Sequence, residues 1–196
     1  MVSVKNLMLL GFMCIALLPA AAQKHIYDVI LFGNKIGQTV VERIDKGNGE
    51  VQYKLNSSSE VTILFNKKTS AMVFDVLYKD GKLMNSYVKN VKDGVTEIVN
   101  ILWQETKYVI RKGVETMQLT QAVNFSAVQL YFTEPVGMTR IFSERLGNFC
   151  AFKNTAPGVY ECKLDNGVNN IYKYRNGVLY ELEMSKGASV YMRLVR

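Results

Sequence analysis

Apolar and polar residues alternate along most of this chain. In the segment Val178–Met184 every even position is apolar, whereas Glu181 and Glu183 are charged. A period of two predicts strands with one buried face. Odd positions from Val51 to Phe65 keep one such register, which predicts a single strand of about fifteen residues. A strand of that length must curve, as strands in rolls and barrels do.

Short turn signals divide these runs. They are Gly33–Asn34, Asn48–Gly49, Asp80–Gly81, Asp93–Gly94, Asn166–Gly167 and Asn176–Gly177. Such pairs supply the positive φ of a tight hairpin, so we predict an antiparallel meander of roughly a dozen strands. The segments Ala71–Tyr78 and Val95–Trp103 carry apolar residues on both faces. We expect both segments to be covered on both sides, by the opposite wall or by a helix.

One segment departs from this alternation. Between Thr120 and Phe132 the apolar residues recur at helical spacing, and Pro135 follows directly. This spacing predicts the one substantial helix. The predicted fold class is therefore mainly β: a single curved antiparallel meander, either a β-roll or an incomplete barrel, with one short helix packed into or across its mouth. No linker, repeat or low-complexity tract divides residues 23–196, which are predicted to form a single domain.

The first 22 residues have the pattern of a secretory signal peptide. Lys5 precedes an apolar run from Leu7 to Leu18, and small residues follow up to Ala22. The run is too short to span a bilayer core of roughly 30 Å. We expect cleavage after Ala22 and a secreted mature chain that starts at Gln23. Cys14 lies inside the apolar run without the residues of a lipoprotein cleavage box, so a lipid anchor is disfavoured.

The two remaining cysteines, Cys150 and Cys162, flank Pro157 and Gly158 almost symmetrically. This placement predicts a β-hairpin in which Ala151 pairs with Glu161 and Phe152 with Tyr160. Cys150 would then lie opposite Cys162, close enough for a disulfide. An oxidising compartment favours that bond. The alternative is a pair of buried thiols.

Charge and hydropathy restrict the partners. The formal net charge is +7, and loss of Lys5 with the leader lowers it to +6. The basic residues are dispersed, so we do not expect a nucleic-acid partner. A basic surface is compatible with acidic envelope polymers or lipid head groups, although a simple solvated surface explains it as well. No second apolar run is long enough to cross a membrane, so an integral membrane protein is not expected.

Motifs for catalysis are lacking, and no metal or other cofactor is expected. The only histidine, His25, follows the predicted cleavage site, where chain ends are usually mobile. Glu181 and Glu183 share one strand face and are interpreted as a solvated pair. Glu134 and Glu144, with Arg140 between them, are interpreted as a salt-bridged or capping cluster. A carboxylate-dependent hydrolase built on either pair is disfavoured, and we expect a protein that is not an enzyme.

Composition favours a binding role. The eleven tyrosines all lie beyond the leader, and a curved sheet can enclose an apolar ligand between its wall and a helix. A lipid or another hydrophobic envelope molecule would need a cavity of at least roughly 300 Å³. Without such a cavity the same aromatics form a dry core. The candidate ligand-binding residues are Trp103, Tyr108, Phe125, Leu130, Tyr131 and Phe132.

The alternative is a structural or assembly role. An exposed sheet edge or a tyrosine-rich face would then dock an envelope partner. The exposure of Tyr172, Tyr174 and Tyr180 distinguishes the two hypotheses, because ligand binding needs aromatics that face inward. The sequence predicts neither the oligomeric state nor the ligand.

Several segments also resemble a known family. They are Tyr27–Val29, Phe32–Gly37, Leu130–Pro135, Ser143–Glu144, and Asn170 with Tyr172–Tyr174 and Asn176–Gly177. This pattern is similar to that of uncharacterised secreted proteins of Gram-negative bacteria, known only as a domain of unknown function. The resemblance covers nearly all of the chain beyond the leader. It implies a curved antiparallel β fold in the periplasm, and it implies no activity and no catalytic residues.

Overall fold

The structure, a computed structural model, describes residues 22–164, 167–186 and 188–195. These residues form fifteen strands and one short 3₁₀ helix. The strands are β1 (Ala22–Leu31), β2 (Asn34–Gly47), β3 (Glu50–Ile63), β4 (Asn66–Lys79), β5 (Lys82–Lys92), β6 (Val95–Gln104), β7 (Lys107–Lys112), β8 (Glu115–Leu119), β9 (Arg140–Ser143), β10 (Asn148–Ala151), β11 (Lys153–Ala156), β12 (Val159–Lys163), β13 (Asn169–Arg175), β14 (Val178–Lys186) and β15 (Ala188–Leu194). The predicted leader lies outside the described residues except for Ala22, which begins β1.

Thirteen strands form one antiparallel sheet in the order β11, β12, β13, β14, β15, β1, β2 and onward to β8. The first and the last strand therefore lie side by side within the sheet, because β1 pairs with both β15 and β2. The edge strands β8 and β11 are not paired with each other, so the sheet is curved but not closed. Strands β9 and β10 form a separate two-stranded sheet. The predicted mainly β, incompletely closed meander is confirmed.

Most predicted turns are confirmed. Both turn residues have positive φ at Asn48–Gly49, Asp80–Gly81, Asp93–Gly94 and Asn176–Gly177. The first turn is Phe32–Gly33, one residue earlier than predicted, and Asn166 lies outside the described residues. The predicted strand from Val51 to Phe65 corresponds to β3, but it ends at Ile63 because Leu64 and Phe65 form a hairpin turn.

One buried cluster fills the concave side of the sheet and draws on both of its halves. The convex side is different. Val73, Ile98 and Leu102 are exposed there, which contradicts the prediction that Ala71–Tyr78 and Val95–Trp103 are covered on both faces. The physical reason is that a single layer of chain packs on one face of the sheet only. Apolar residues on the other face therefore remain in contact with water.

The predicted helix over Thr120–Phe132 is largely absent. Only Ala127–Tyr131 is helical, as one 3₁₀ turn. Residues before it use their backbone groups elsewhere: the Val123 carbonyl accepts from Leu83 N at 2.9 Å, and Val123 N donates to the Tyr108 hydroxyl at 3.2 Å. Tertiary hydrogen bonds at Val123 thus replace the helical ones that the apolar spacing had suggested.

The register predicted for the cysteine hairpin is wrong by two residues. Pro157 and Gly158 do connect two strands, but Lys153 rather than Ala151 pairs with Glu161. The chain bends at Phe152, whose N donates to the Thr139 carbonyl at 2.9 Å, and it moves there from the small sheet to the large one. Cys150 therefore lies on β10, and no disulfide joins it to Cys162 in the structure.

Candidate functional site

Residues 120–152 form a plug on the concave face of the large sheet. The 3₁₀ turn Ala127–Tyr131 is held to the wall by tyrosine hydroxyls. Tyr174 donates to the Leu130 carbonyl at 2.8 Å, and Tyr27 donates weakly to the Tyr131 carbonyl at 3.4 Å. The shorter bond of Tyr27, at 3.0 Å, is to the Leu179 carbonyl of the wall strand β14. Burial raises the pKa of both Tyr174 and Tyr27, so these hydroxyls remain protonated donors. The plug is therefore fixed by hydrogen bonds as well as by apolar contact.

Between the plug and the wall lies an apolar cavity of about 120 Å³. Its inner lining is buried and includes Leu55, Leu130 and Leu182. Its outer lining is half-buried and includes Met72, Leu146, Leu164 and Met184. We infer that the cavity reaches solvent at this outer side. It is much smaller than the site of roughly 300 Å³ that a whole lipid needs.

Few polar groups reach this cavity. Arg145 is the one charged residue of its lining, and no carboxylate of the described residues lies within ion-pair distance of it. Asn170 contributes a buried Oδ1 that has no hydrogen-bond partner among the described residues. The lining thus combines mainly apolar side chains with Ser143, Arg145 and Asn170.

Two cysteines line the same cavity despite the change of register. Cys162 is buried and Cys150 is half-buried. A hydrogen bond with the Cys150 thiol, together with burial, raises the pKa of Cys162. Burial also raises the pKa of the neighbouring Tyr172. The structure does not show the predicted disulfide, because both cysteines are thiols in it, and the bond stays a prediction.

The candidate ligand-binding residues separate into two groups. Leu130 and Tyr131 line the cavity, whereas Trp103, Tyr108, Phe125 and Phe132 do not. Trp103 packs against Tyr108 with ring centroids 4.7 Å apart, in the other half of the sheet, and Phe132 stacks on His25 at 5.0 Å. The predicted helix would have aligned Phe125 and Phe132 with Leu130 and Tyr131. Because that helix does not form, Phe125 and Phe132 pack outside the cavity.

The residues that the sequence reasoning missed are on the other wall. Strands β12, β13 and β14 contribute Cys162, Tyr172, Leu182 and Met184 to the lining, and the bend after β10 contributes Phe152. Alternation along Val178–Met184 had placed Leu182 and Met184 on the inward face, but it had also placed Tyr180 there, whereas a register shift between β13 and β14 turns Leu179 inward instead. It could not show that the plug lies over this half of the sheet.

Two of the three diagnostic tyrosines face inward. Tyr172 and Tyr174 are each 7% exposed, and Tyr180 is half-buried on the opposite face of the sheet. Arg175 packs over the Tyr180 ring at 4.7 Å. A tyrosine-rich docking face is therefore not present on β13 and β14.

A second buried polar cluster lies at the start of the 3₁₀ turn. The Tyr78 hydroxyl donates to Ser126 Oγ at 2.6 Å, and Ser126 Oγ donates to Glu144 Oε1 at 2.6 Å. The same Oε1 accepts from Val128 N at 3.2 Å. Glu144 is fully buried, its Oε2 has no hydrogen-bond partner among the described residues, and burial raises its pKa. Glu144 therefore caps the 3₁₀ turn, as one of the two interpretations of this carboxylate predicted.

The remaining acidic candidates have separate partners. Glu134 accepts from the Tyr160 hydroxyl at 2.9 Å, and Arg140 lies over the Phe149 ring, so the predicted cluster of Glu134, Glu144 and Arg140 does not form. Glu181 is bound by Lys173 at 2.6 Å and by Arg193 at 2.7 Å. Although burial acts in the opposite direction, these two cations hold the pKa of Glu181 below its usual value.

His25 does not lie in a mobile end, contrary to the prediction. It belongs to β1, and its Nδ1 is hydrogen-bonded to the Tyr131 carbonyl at 2.9 Å. Among residues 22–164, 167–186 and 188–195, no group of three or more His, Cys, Asp or Glu side chains could hold a metal ion. No helix in this part of the chain is long and apolar enough to cross a membrane.

Comparisons with known proteins point to the fold and not to an activity. The sequence model of a family described as "Domain of unknown function (DUF6134)" matches residues 27–195. A crystal structure described as a beta-barrel-like protein of domain of unknown function DUF1849 from Brucella abortus is similar, with a TM-score of 0.53 and 15% sequence identity. The match covers 91% of this chain and 98% of that one. The comparison with curated proteins finds no match.

Proposed function

Because this chain belongs to the DUF6134 family, whose description names no activity, we propose a function from its own geometry: it binds the apolar end of a small anionic amphiphile in the cavity between plug and sheet. The observation that carries this proposal is the 120 Å³ cavity itself, which has an apolar interior and an arginine in its lining. In line with the predicted leader, we place this activity outside the cytoplasm.

The size of the cavity limits the ligand. An engineered apolar cavity of about 150 Å³ binds benzene, so a site of 120 Å³ accepts one ring or a few carbons of an alkyl chain. Native packing leaves few voids of this size, because each one forfeits dispersion contacts. The remainder of a longer ligand would leave through the half-buried outer side, past Met72 and Met184.

Arg145 supports an anionic head group. Arg145 is a lining residue and has no ion-pair partner among the described residues. A planar guanidinium binds a carboxylate or phosphate oxygen pair well. An alkyl carboxylate can therefore place its chain in the cavity and its charge at Arg145.

The test uses octanoate as the probe and the methionine methyl groups as reporters. The chain from Gln23 is labelled with [¹³C-methyl]methionine and titrated with octanoate, and octan-1-ol is titrated in a parallel series. We expect saturable shifts of the Met72 and Met184 signals and no shift of Met117, which is exposed on β8. We expect octan-1-ol to bind at least about tenfold more weakly, since it lacks the charge that Arg145 binds.

Matched variants provide the controls. Ala127→Phe fills the cavity, whereas Ala122→Phe adds the same side chain at an exposed position. Only Ala127→Phe should abolish binding. Arg145→Gln should weaken octanoate and leave octan-1-ol unchanged, and Arg111→Gln, at an exposed position of β7, should change neither. Absence of saturable binding to the unsubstituted chain, or equal binding to both phenylalanine variants, would contradict the proposal.

An assembly role at a sheet edge is the second candidate. It is supported by β11, whose four residues are all exposed, and by β8, where four of five residues are exposed. An edge strand offers unpaired backbone groups to an added strand. Substituting proline for Gln118 on β8 should then abolish binding of an envelope partner without changing octanoate affinity. Unchanged partner binding would count against this role.

A further inference from the structure

We propose that the turns β1–β2 and β3–β4 insert their apolar side chains into the surface of a lipid bilayer that contains anionic lipids. Phe32 is 72% exposed, Leu64 is 85% exposed and Phe65 is fully exposed. Each of these side chains sits at the tip of a hairpin. A globular chain rarely leaves several large apolar groups at one end without a partner for them.

Strand register brings these tips together. Leu31 pairs with Asn34, Ile63 pairs with Asn66, and β2 joins the two hairpins through the pair Gly37 and Ser59. The next turn at this end, Asp93–Gly94, lies level with Thr69, since Asp93 N donates to the Thr69 carbonyl. The β3–β4 hairpin continues four residues beyond Thr69, or about 13 Å at 3.3 Å per residue. The β3–β4 tip therefore projects beyond the neighbouring β5–β6 turn.

The turn Leu64–Phe65 is costly for folding. Its residues have φ values of 47° and 67°, in the left-handed region that disfavours side chains such as Leu and Phe. Four other hairpins of this chain use Asn or Asp followed by Gly at the same two positions. Folding alone would favour that pair here as well. Backbone strain that places two exposed apolar side chains at a tip indicates a function for them.

The lysines near the tips indicate that the bilayer contains anionic lipids. Lys35, Lys67 and Lys68 lie directly behind the tips, and their side chains are 54%, 62% and 55% exposed. Each is paired with a carboxylate that is farther from the tips, namely Asp28, Glu60 and Asp93, so the ammonium groups meet the surface first. Exposed ion pairs are weak and exchange readily. Apolar groups with lysines behind them are typical of interfacial binding to anionic bilayers.

The concave face continues the apolar surface inward from this end. An open groove of about 440 Å³ lies behind the tips and is lined in part by Leu31, Val61 and Val190. Val190 pairs with Met184, which lines the inner cavity. An amphiphile at the bilayer surface would thus meet an apolar path from the tips towards the cavity.

The test is co-sedimentation of the chain from Gln23 with two kinds of vesicle, phosphatidylcholine alone and phosphatidylcholine with 30% phosphatidylglycerol. The main variant is L64N/F65G, which installs the turn pair of the other hairpins. We expect it to raise the melting temperature and to weaken binding to the anionic vesicles at least tenfold. A loss of binding together with a gain in stability cannot arise from misfolding.

Two further variants complete the experiment. Val114→Asn removes a fully exposed valine that lies level with the middle of β4, well behind the tips, and it should bind like the unsubstituted chain. Lys67→Gln with Lys68→Gln should lower binding to anionic vesicles only. No vesicle binding by the unsubstituted chain, or equal binding by L64N/F65G, overturns the proposal. Concentration-dependent dimers that L64N/F65G abolishes, with no vesicle binding, would assign the tips to a second copy and overturn it too.

Discussion

Glu144 allows a quantitative test of how the plug is held. Its Oε1 accepts hydrogen bonds from Ser126 Oγ and Val128 N, while Oε2 is buried without a hydrogen-bond partner among the described residues. Replacement by leucine keeps much of the volume but leaves both donors unsatisfied. Each buried unsatisfied donor costs about 1–3 kcal/mol, part of which is offset because a buried carboxylate is removed. We expect Glu144→Leu to lower the free energy of unfolding by about 3 kcal/mol.

Glu144→Gln separates hydrogen bonding from charge, because it keeps an acceptor at the Oε1 position and removes titration. Burial raises the folded-state pKa of Glu144 above its unfolded value, so the folded state binds the proton more tightly. The contribution of Glu144 to the free energy of unfolding is therefore fully present below the unfolded pKa. It is lost as pH rises towards the folded pKa, by up to about 1.4 kcal/mol per pH unit. The glutamine variant lacks this loss. Above pH 5 the free energy of unfolding of Glu144→Gln should therefore approach or exceed that of the unsubstituted chain.

The assay is urea denaturation between pH 4.5 and 8, followed by the fluorescence of Trp103, the single tryptophan. The difference between the unsubstituted chain and Glu144→Gln cancels the acid-side losses from Asp28, Asp93 and Glu181, whose pKa values are lowered. A pH-independent difference would refute the burial argument. A cost below about 1 kcal/mol for Glu144→Leu would refute the capping role.

Three other predictions concern the frame of the sheet. Deleting residues 187–196 removes β15, which pairs with both β14 and β1, and should lower the melting temperature by more than about 10 °C; a smaller fall would contradict its central place. Gly158→Ala should lower the free energy of unfolding in urea by about 2 kcal/mol, because φ is +70° and the new Cβ would lie 2.9 Å from the Tyr174 carbonyl oxygen. The control Gly177→Ala, with a similar φ but open space around the new Cβ, should lower it by about half as much. Intact mass spectrometry without reductant should show a disulfide between Cys150 and Cys162 in protein purified from an oxidising compartment. Two reactive thiols in that protein would contradict the prediction.

Local chemistry made much of the fold predictable. Asn48–Gly49, Asp80–Gly81 and Asp93–Gly94 turn where predicted because their backbone conformation depends on the residues themselves. The Leu64–Phe65 turn had no such signal, and apolar alternation ran through it. The helix prediction failed at Val123 for a similar reason, because its backbone partners, Leu83 and Tyr108, are distant in the sequence.

The candidate site was only partly predictable. Leu130 and Tyr131 were identified from their place in the predicted helix, yet the opposite wall, with Tyr172 and Met184, was not identified. Trp103 and Tyr108 pack elsewhere. Burial of many side chains follows from alternation, although the register shift next to Tyr180 reverses it there. Which buried side chains meet depends on where the plug lies along the curved sheet.

The sequence alone determined many of the strands, most of the predicted turns and the inward face of several strands, because these depend on neighbours one to four residues apart. Tertiary structure decided the joining of β1 to β15, the bend at Phe152 that separates two sheets, and the position of the cavity. Each of these depends on contacts between residues far apart in the chain. Their free energy comes from packing and from backbone hydrogen bonds that a local pattern does not encode.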